Sequence, residues 1–576
     1  MTTEANLRDR LGEAGRRWSA GRVVVRALAR TVRSELREGT LRETLRASRE
    51  AGTLSFAGEP TFGELLARRA RERPDAEFVR FERQRVRVGE LDQRVNAVAA
   101  GLRAVTRAGD NVALLCPNCP EYLEAFFAIQ RLGLGAVPVN TALVGDGLVH
   151  VLQSSRARAA IVHHDQLAQL EAVRARAPEL EHVVVITEGA PYEAGAGATL
   201  EGWRRDHRDA APPARAPDPE AVALLLYTSG TTGSAKGVVY RYRDSNTKRL
   251  RLLSHLLYSP GEVLYTCLPL FHANALLLTT MMALDMGSVV ALGRRFSASR
   301  FWQEAAELGA TTFNALGAMI PILLKQPPGA HDRAHRVRLV VSAACPAEAW
   351  RPFEERFGVR IVEAYGAVDG GGFITMNLGN APVGSIGKPL GGKYRLLDDA
   401  GGEARSGEPG ELCVWMGRSE SRKVEYYRDE KATRQKTHDG WLHTGDFLRR
   451  DERGFLYFVG RRSDSMRRRG ENVSAHEVES VLAQHPDVLE CAVFGVPSEL
   501  GEDDIMAVVV PVEGRTLDPA EVRRYVEPRL ARHAWPRYVE LAAELPKTGT
   551  HRVQKSDLQR RGPGPATWDA ERGAPR

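Results

Sequence analysis

Seven apolar residues in a row, Ala221–Tyr227, run directly into Thr228-Ser-Gly-Thr-Thr-Gly-Ser-Ala-Lys236-Gly237. A run with no polar alternation is buried on all sides, and its short length and the glycine-rich turn that follows make it read as a strand inside a mostly parallel sheet. The end of such a strand delivers the loop that follows to the edge of the sheet. Glycines 230, 233 and 237 let the backbone come close to a ligand and turn its N–H groups inward. Thr228, Ser229, Thr231 and Thr232 add hydroxyls, and Lys236 adds a point charge. The combination suits the β- and γ-phosphates of a nucleotide. It is not a Walker A loop, because the glycine spacing differs and Lys236 is followed by Gly237 rather than Ser or Thr.

Around this segment, from about residue 60 to residue 460, helical and extended patterns alternate. The expected strands include Asn111–Cys116, Ala136–Val139 and Ala159–Val162, with a helix over Tyr122–Leu132. Such alternation predicts an α/β fold in which mostly parallel sheets are layered with helices. Thr187–Glu220, rich in Ala, Gly, Pro and charge, reads as a surface loop. Ala275–Leu292 reads as a buried helix running into a strand rather than a membrane span. A second, small α+β unit is expected over 461–560, with helices Ala475–Gln484 and Pro519–Arg532 and strands Val488–Val496 and Asp504–Val512. Residues 561–576, opening on Gly-Pro-Gly-Pro, are expected to be disordered. A chain of 576 residues is long enough for this division, since single cores stop growing at about 250–300 residues.

Charge narrows the partners. The net +7 is concentrated at the start, where residues 1–50 carry 12 arginines and 7 acids, leaving +2 for the rest. A body so near neutrality has no global basic field, so nucleic acid is not expected as a partner. The extension 1–59 has an apolar patch, Val23–Val25 with Ala27, Leu28, Ala29 and Val32, far short of the roughly 20 residues that span a bilayer. It reads as a surface helix, with weak membrane-surface contact as the alternative. Six cysteines are too few for a disulfide scaffold and point to a cytoplasmic setting. The lone Cys116-Pro-Asn-Cys119 reads as a strand-to-helix turn rather than a zinc site.

The segment Tyr227–Gly237 resembles the signature of the adenylate-forming superfamily, whose members include acyl-CoA synthetases, luciferases and peptide-synthetase adenylation domains. Further similarities follow in order: Pro269-Leu-Phe-His272, Ser342-Ala-Ala-Cys-Pro346, Glu363-Ala-Tyr365-Gly366, Gly440-Trp-Leu-His-Thr-Gly-Asp446, Gly460-Arg461-Arg-Ser-Asp464, Gly470-Glu-Asn-Val and Pro546-Lys-Thr-Gly-Thr. Phe296-Ser-Ala-Ser-Arg-Phe-Trp302 and Gln326-Pro-Pro resemble two branches, the fatty-acid transport and very-long-chain acyl-CoA synthetases and the carnitine/crotonobetaine-CoA ligases. The resemblance implies a large adenylation domain, a small mobile C-terminal domain, and ATP, Mg2+ and coenzyme A as co-reactants. It places Lys236 and the loop residues Thr228, Ser229, Gly230, Thr231, Thr232 and Gly233 on the phosphates, and Ala344, Tyr365 and Gly366 around adenine. It puts Asp446 on the ribose with Arg461 beside it, His272 near the acid, and Asp369 on the metal. Asp464 falls at the hinge and Gly470 where the pantetheine arm of coenzyme A passes.

Two departures stand out. The family's Thr-Glu after Tyr-Gly is here Val368-Asp369, which removes a hydroxyl worth about 1–3 kcal/mol and shortens the acid by a methylene. Its C-terminal Gly-Lys is His551-Arg552, so a planar fork replaces a compact ammonium as the catalytic cation, with Lys547 and Lys555 nearby. The expected activity is therefore an ATP-dependent, AMP-forming acyl-CoA ligase. The alternative is a diazotase of secondary metabolism, of the kind found in antibiotic biosynthesis, which adenylates nitrite for attack by an aryl amine. A non-catalytic nucleotide-binding relative is the third reading.

Overall fold

The computed structural model describes residues 24–33, 61–192, 198–212, 217–228, 235–243, 248–316, 318–370, 375–389, 393–398, 400–416, 424–461, 464–468, 471–498, 503–547 and 553–576. Two large sheets organise the first 400 residues. In one, Ala198–Thr199, His182–Ile186, Ala157–His163, Asn111–Leu115, Gly135–Pro138 and Val222–Thr228 run parallel in that order, and Lys236–Arg241 closes the edge antiparallel. The other has nine strands. Its parallel centre is Arg360–Tyr365, Leu339–Ala343, Thr312–Leu316, Val263–Thr266, Val289–Leu292 and Glu77–Phe81, flanked by antiparallel strands at both edges. Helices Phe62–Glu72, Val88–Val105 and Pro120–Arg131 lie in the core between the sheets. Every residue of Pro120–Arg131 is buried, and its polar side chains are partnered: Glu124 with Arg94 and Arg204, Glu121 with Arg204, Gln130 with Ala223 O and Arg131 with Asp92. Its start is set by Cys119 in extended backbone and by Pro120, whose missing N–H costs nothing in the first turn.

A third, antiparallel sheet of Tyr394–Leu397, Pro409–Trp415, Trp441–Arg450, Thr437–His438 and Leu456–Arg461 packs against the strand Lys236–Arg241. Beyond residue 461 comes the hairpin Ser465–Arg468/Glu471–Ser474, helix Ala475–Leu482, and a separate sheet built on Val488–Pro497 and Asp503–Pro511. This unit has its own apolar cores.

Two expectations give way. The C-terminal residues do not form a disordered tail: Trp568–Asp569 pairs with Tyr538–Leu541, and Ala574–Pro575 pairs with Trp568–Asp569. Asp569 and Thr567 are buried, and Arg537 Nε lies 3.3 Å from Asp569 Oδ1, so the tail has an ionic anchor. The Thr187–Glu220 loop contains helix Leu200–Asp206, whose Trp203 lies against Gly101 so closely that a Cβ there would meet the indole at 2.2 Å. Ala275–Leu292 is the expected helix running into a strand: a π-turn at Leu276–Met281 continues into helix Met282–Met286, and strand Val289–Leu292 follows. The helix at 24–33 docks on the large unit, with Arg30 Nη1 donating to Tyr258 O at 3.1 Å and Thr31 Oγ1 2.9 Å from His255 Nδ1. Among the described residues no helix is long and apolar enough to cross a membrane.

Candidate active site

The strand pair Val222–Thr228/Lys236–Arg241 brings Thr228 opposite Lys236, so the base of the glycine-rich loop is closed by regular antiparallel pairing. Ser229, Gly230, Thr231, Thr232 and Gly233 lie outside the described residues. The Lys236 ammonium sits 3.9 Å from Asp429 Oδ2 and 5.6 Å from the centre of the Tyr426 ring. This is a loose hold, and it leaves the charge able to turn to an anion.

Tyr365 ends the strand Arg360–Tyr365, and its hydroxyl donates to Asp446 Oδ2 at 2.7 Å. Arg461 Nε lies 3.1 Å from Asp446 Oδ1; the two residues are cross-strand partners in the third sheet. Asp446 is only 5% exposed and so is a preorganised, doubly held carboxylate. Burial first, and then the Asp446 charge, push the Tyr365 phenol well above its ordinary range, so it remains a donor. Gly445 precedes Asp446 with φ +77°, and its N–H donates to Glu411 Oε1 at 3.0 Å, which turns the chain into the site.

Ala344 carries φ +68°, a left-handed conformation that costs a non-glycine residue about 1 kcal/mol or more. The compensation comes from Glu363. Its carboxyl accepts from the Ala344 N–H, and from the Cys345 N–H at 3.2 Å. Burial pushes the Glu363 carboxyl up to about 7 against these bonds. The loop joining strand Leu339–Ala343 to helix Ala347–Phe357 is thereby fixed beside Tyr365.

His272 opens the short helix Ala273–Ala275, and its own N–H donates to Pro269 O at 3.0 Å. Its Nε2 is buried without a hydrogen-bond partner, and burial lowers its pKa to about 4, so the ring is neutral near pH 7. A side chain that sequence reading overlooked sets this loop in place. Asn118, within Cys116-Pro-Asn-Cys119, donates from Nδ2 to Leu268 O and Gly293 O, both at 2.9 Å. Its Oδ1 accepts the Leu270 N–H at 2.8 Å. One buried amide thus joins the two large sheets at the histidine loop, while Cys116 and Cys119 are buried with their sulfurs 3.4 Å apart. We expect Asn118→Leu to lower unfolding free energy by about 3 kcal/mol, because it strands three buried backbone groups. A denaturant titration showing less than about 1 kcal/mol would reject this anchoring role.

Asp369 follows on the same segment, and its Oδ2 accepts the Tyr426 hydroxyl at 2.7 Å and faces Lys436 Nζ at 2.9 Å. Although burial raises its pKa, Lys436 and Tyr426 outweigh that and hold the carboxyl below its usual range. Val368 packs its side chain where two cores meet and accepts the Tyr240 hydroxyl on its carbonyl at 3.0 Å, so the apolar residue there has a packing role. Neither Tyr426 nor Lys436 is distinguished in sequence: Lys436 ends a seven-residue helix that also carries Lys431 and Arg434. Asp464 leads into the hairpin Ser465–Arg468/Glu471–Ser474, whereas Gly470 and Arg552 lie outside the described residues. The two lysines near Arg552 are occupied, Lys547 with Glu490 at 2.6 Å and Lys555 with Glu479 at 2.7 Å.

A lysine at the base of the glycine-rich loop, a doubly held buried carboxylate with a tyrosine beside it and a small C-terminal unit are the arrangement that the family resemblance led us to expect. The chain belongs to the AMP-binding enzyme family: the family model matches residues 66–418, and that of the AMP-binding enzyme C-terminal domain matches residues 477–552. It is an AMP-forming ligase. It is 32% identical over 512 residues to the sulfoacetate–CoA ligase of Cupriavidus necator, covering 86% of this chain and 97% of that one. It is 31% identical over 490 residues to the crotonobetaine/carnitine–CoA ligase of Shigella dysenteriae, covering 82% and 92%. Among solved structures, the anthranilate CoA ligase AuaEII in complex with anthranoyl-AMP superposes with a TM-score of 0.77 at 28% identity, covering 87% of this chain and 97% of that one. The comparisons give no support to the diazotase alternative.

Proposed function

We propose that this protein joins a small carboxylic acid to coenzyme A through an acyl-adenylate. The observation that carries the proposal is the Tyr365–Asp446–Arg461 cluster, drawn from segments far apart in sequence, with Lys236 reaching it indirectly through Tyr426, Asp369, Lys436 and Thr444. The names of its relatives support the thiol acceptor, since each is a CoA ligase.

In the first half-reaction a carboxylate oxygen attacks the α-phosphorus of ATP and pyrophosphate leaves. Two anions must approach, so fixed donors and cations are what the site has to provide. Lys236 and the hydroxyls of Thr228, Ser229, Thr231 and Thr232 take the departing phosphates. Asp446 accepts both ribose hydroxyls, Arg461 steadies that carboxylate, and Tyr365, Gly366 and Ala344 line the adenine. The neutral His272 ring lies toward the acid, and Arg552 is brought in by the small domain as the cation between acid and α-phosphate. In the second half-reaction the small domain turns about Asp464. The thiol of coenzyme A passes Gly470, attacks the acyl carbon and releases AMP. Magnesium enters as the counter-ion of ATP. Asp369, the side chain that the family resemblance offers to it, is already paired with Lys436, so no step is assigned to a protein-held ion.

The test is pyrophosphate release from ATP and magnesium with small polar, aromatic and fatty acids, with and without coenzyme A. We expect release that depends on an acid, and a thioester by mass spectrometry when coenzyme A is present. Release with no thioester from any acid would overturn the CoA-ligase reading.

A further inference from the structure

Lys436 is a partly buried cation beside the candidate site that the two half-reactions leave without a role. Its side chain is 15% exposed, and its Nζ lies 2.9 Å from Asp369 Oδ2 and 3.1 Å from Thr444 O, two residues before Asp446. Tyr426 donates to the same carboxylate oxygen at 2.7 Å, and the Tyr426 ring faces the Lys236 ammonium. The contacts run from the phosphate-side lysine through Tyr426, Asp369 and Lys436 to the segment that carries the ribose carboxylate.

This arrangement fits a protein-held divalent ion poorly. Magnesium needs carboxylate lone pairs at 2.0–2.1 Å in near-octahedral geometry. On Asp369 Oδ2 those lone pairs already face an ammonium and a hydroxyl, and a second cation on that oxygen would meet Lys436 at short range in a partly buried site. Among the described residues, Asp369 belongs to no group of three or more imidazole, thiol or carboxylate ligands gathered around one point.

We propose that Lys436 is a positioning residue of the adenylation site, a tethered cation that supplies the positive charge beside Asp369, while magnesium reaches the site on the phosphates of ATP alone. This rests on the AMP-forming reading above. Lys436 neutralises Asp369, so the carboxylate does not repel incoming phosphate oxygens, and its bond to Thr444 O sets the approach to Asp446. A change that removes the charge should expose Asp369 as a metal ligand, and one that keeps it should not.

The experiment is Mn2+ binding to the nucleotide-free full chain, followed by electron paramagnetic resonance. Lys436→Met is expected to bind Mn2+ at least tenfold more tightly than wild type, Lys436→Arg to match wild type, and Lys436→Met with Asp369→Asn to lose the gain. Lys436→Gln, which keeps a donor to Asp369 without the charge, carries the same comparison if the methionine variant does not fold. Unchanged Mn2+ affinity in the uncharged variants, or a gain that survives Asp369→Asn, would overturn the proposal. Wild-type pyrophosphate release is measured alongside: its absence counts against the ligase reading and leaves the Mn2+ comparison standing.

Discussion

Asp446→Ala is expected to weaken AMP binding by at least about a hundredfold and to reduce pyrophosphate release at least as much. The carboxylate is held on one oxygen by Tyr365 and on the other by Arg461, and it is 5% exposed. A preorganised carboxylate loses little entropy when it accepts two hydroxyls, and a charge-assisted hydrogen bond is worth about 1.5–3 kcal/mol. Two such bonds give about 3 kcal/mol or more, and 1.4 kcal/mol is a factor of ten in affinity. The substitution also strands the Arg461 guanidinium and the Tyr365 hydroxyl, so some loss of stability should accompany it. Asp446→Asn separates the two effects: the amide keeps an acceptor and the shape, so the fold should hold while AMP affinity still falls at least tenfold. Calorimetry showing AMP bound by the asparagine variant within threefold of wild type would remove Asp446 from the ribose.

The candidate residues that the sequence singles out share a property. Lys236, His272, Tyr365 and Asp446 each sit in a short run whose local pattern is unusual, and their order along the chain adds to the signal. The strand before the glycine-rich loop was equally legible, because an apolar run of seven residues is short for a helix and ends on glycine-rich turn signals, and it is found over Val222–Thr228. What escaped is what depends on contact between remote segments. Asn118 reaches residues 150 and 175 positions away, and no pattern around it says so. Lys436 meets Asp369 from the end of a charged helix where a solvated lysine would look the same.

The tail shows the complementary error. Gly562-Pro-Gly-Pro565 reads as disorder by composition, yet Trp568 and the buried Asp569 secure the strands that follow. Composition reports the average of a segment, while order there comes from two side chains and from Arg537 across the sheet. Ala344 makes a similar point. A family-like alanine in sequence carries a left-handed backbone, and that is tolerable because a buried glutamate 19 residues later accepts the N–H groups that the turn exposes.

Lys236→Met should cut pyrophosphate release at least tenfold while leaving AMP affinity within about threefold of wild type. The reasoning is geometric. The ammonium stands 3.9 Å from Asp429, with side-chain exposures of 35% and 40%, and its second contact is the face of Tyr426. Ion pairs this exposed contribute about 0–1 kcal/mol, so the methionine variant should unfold within about 1 kcal/mol of wild type. The charge is therefore kept for something other than the fold. If it acts on the β- and γ-phosphates, it stabilises negative charge that gathers on them as the α-phosphorus bond breaks, and its loss appears in turnover and in pyrophosphate affinity. AMP has neither phosphate and should not register the change. The contrast with Asp446, where AMP affinity falls first, assigns the two residues to opposite ends of the nucleotide. A Lys236→Met enzyme that turns over normally, or one that loses AMP and pyrophosphate alike, would break that assignment and move the lysine away from the leaving group.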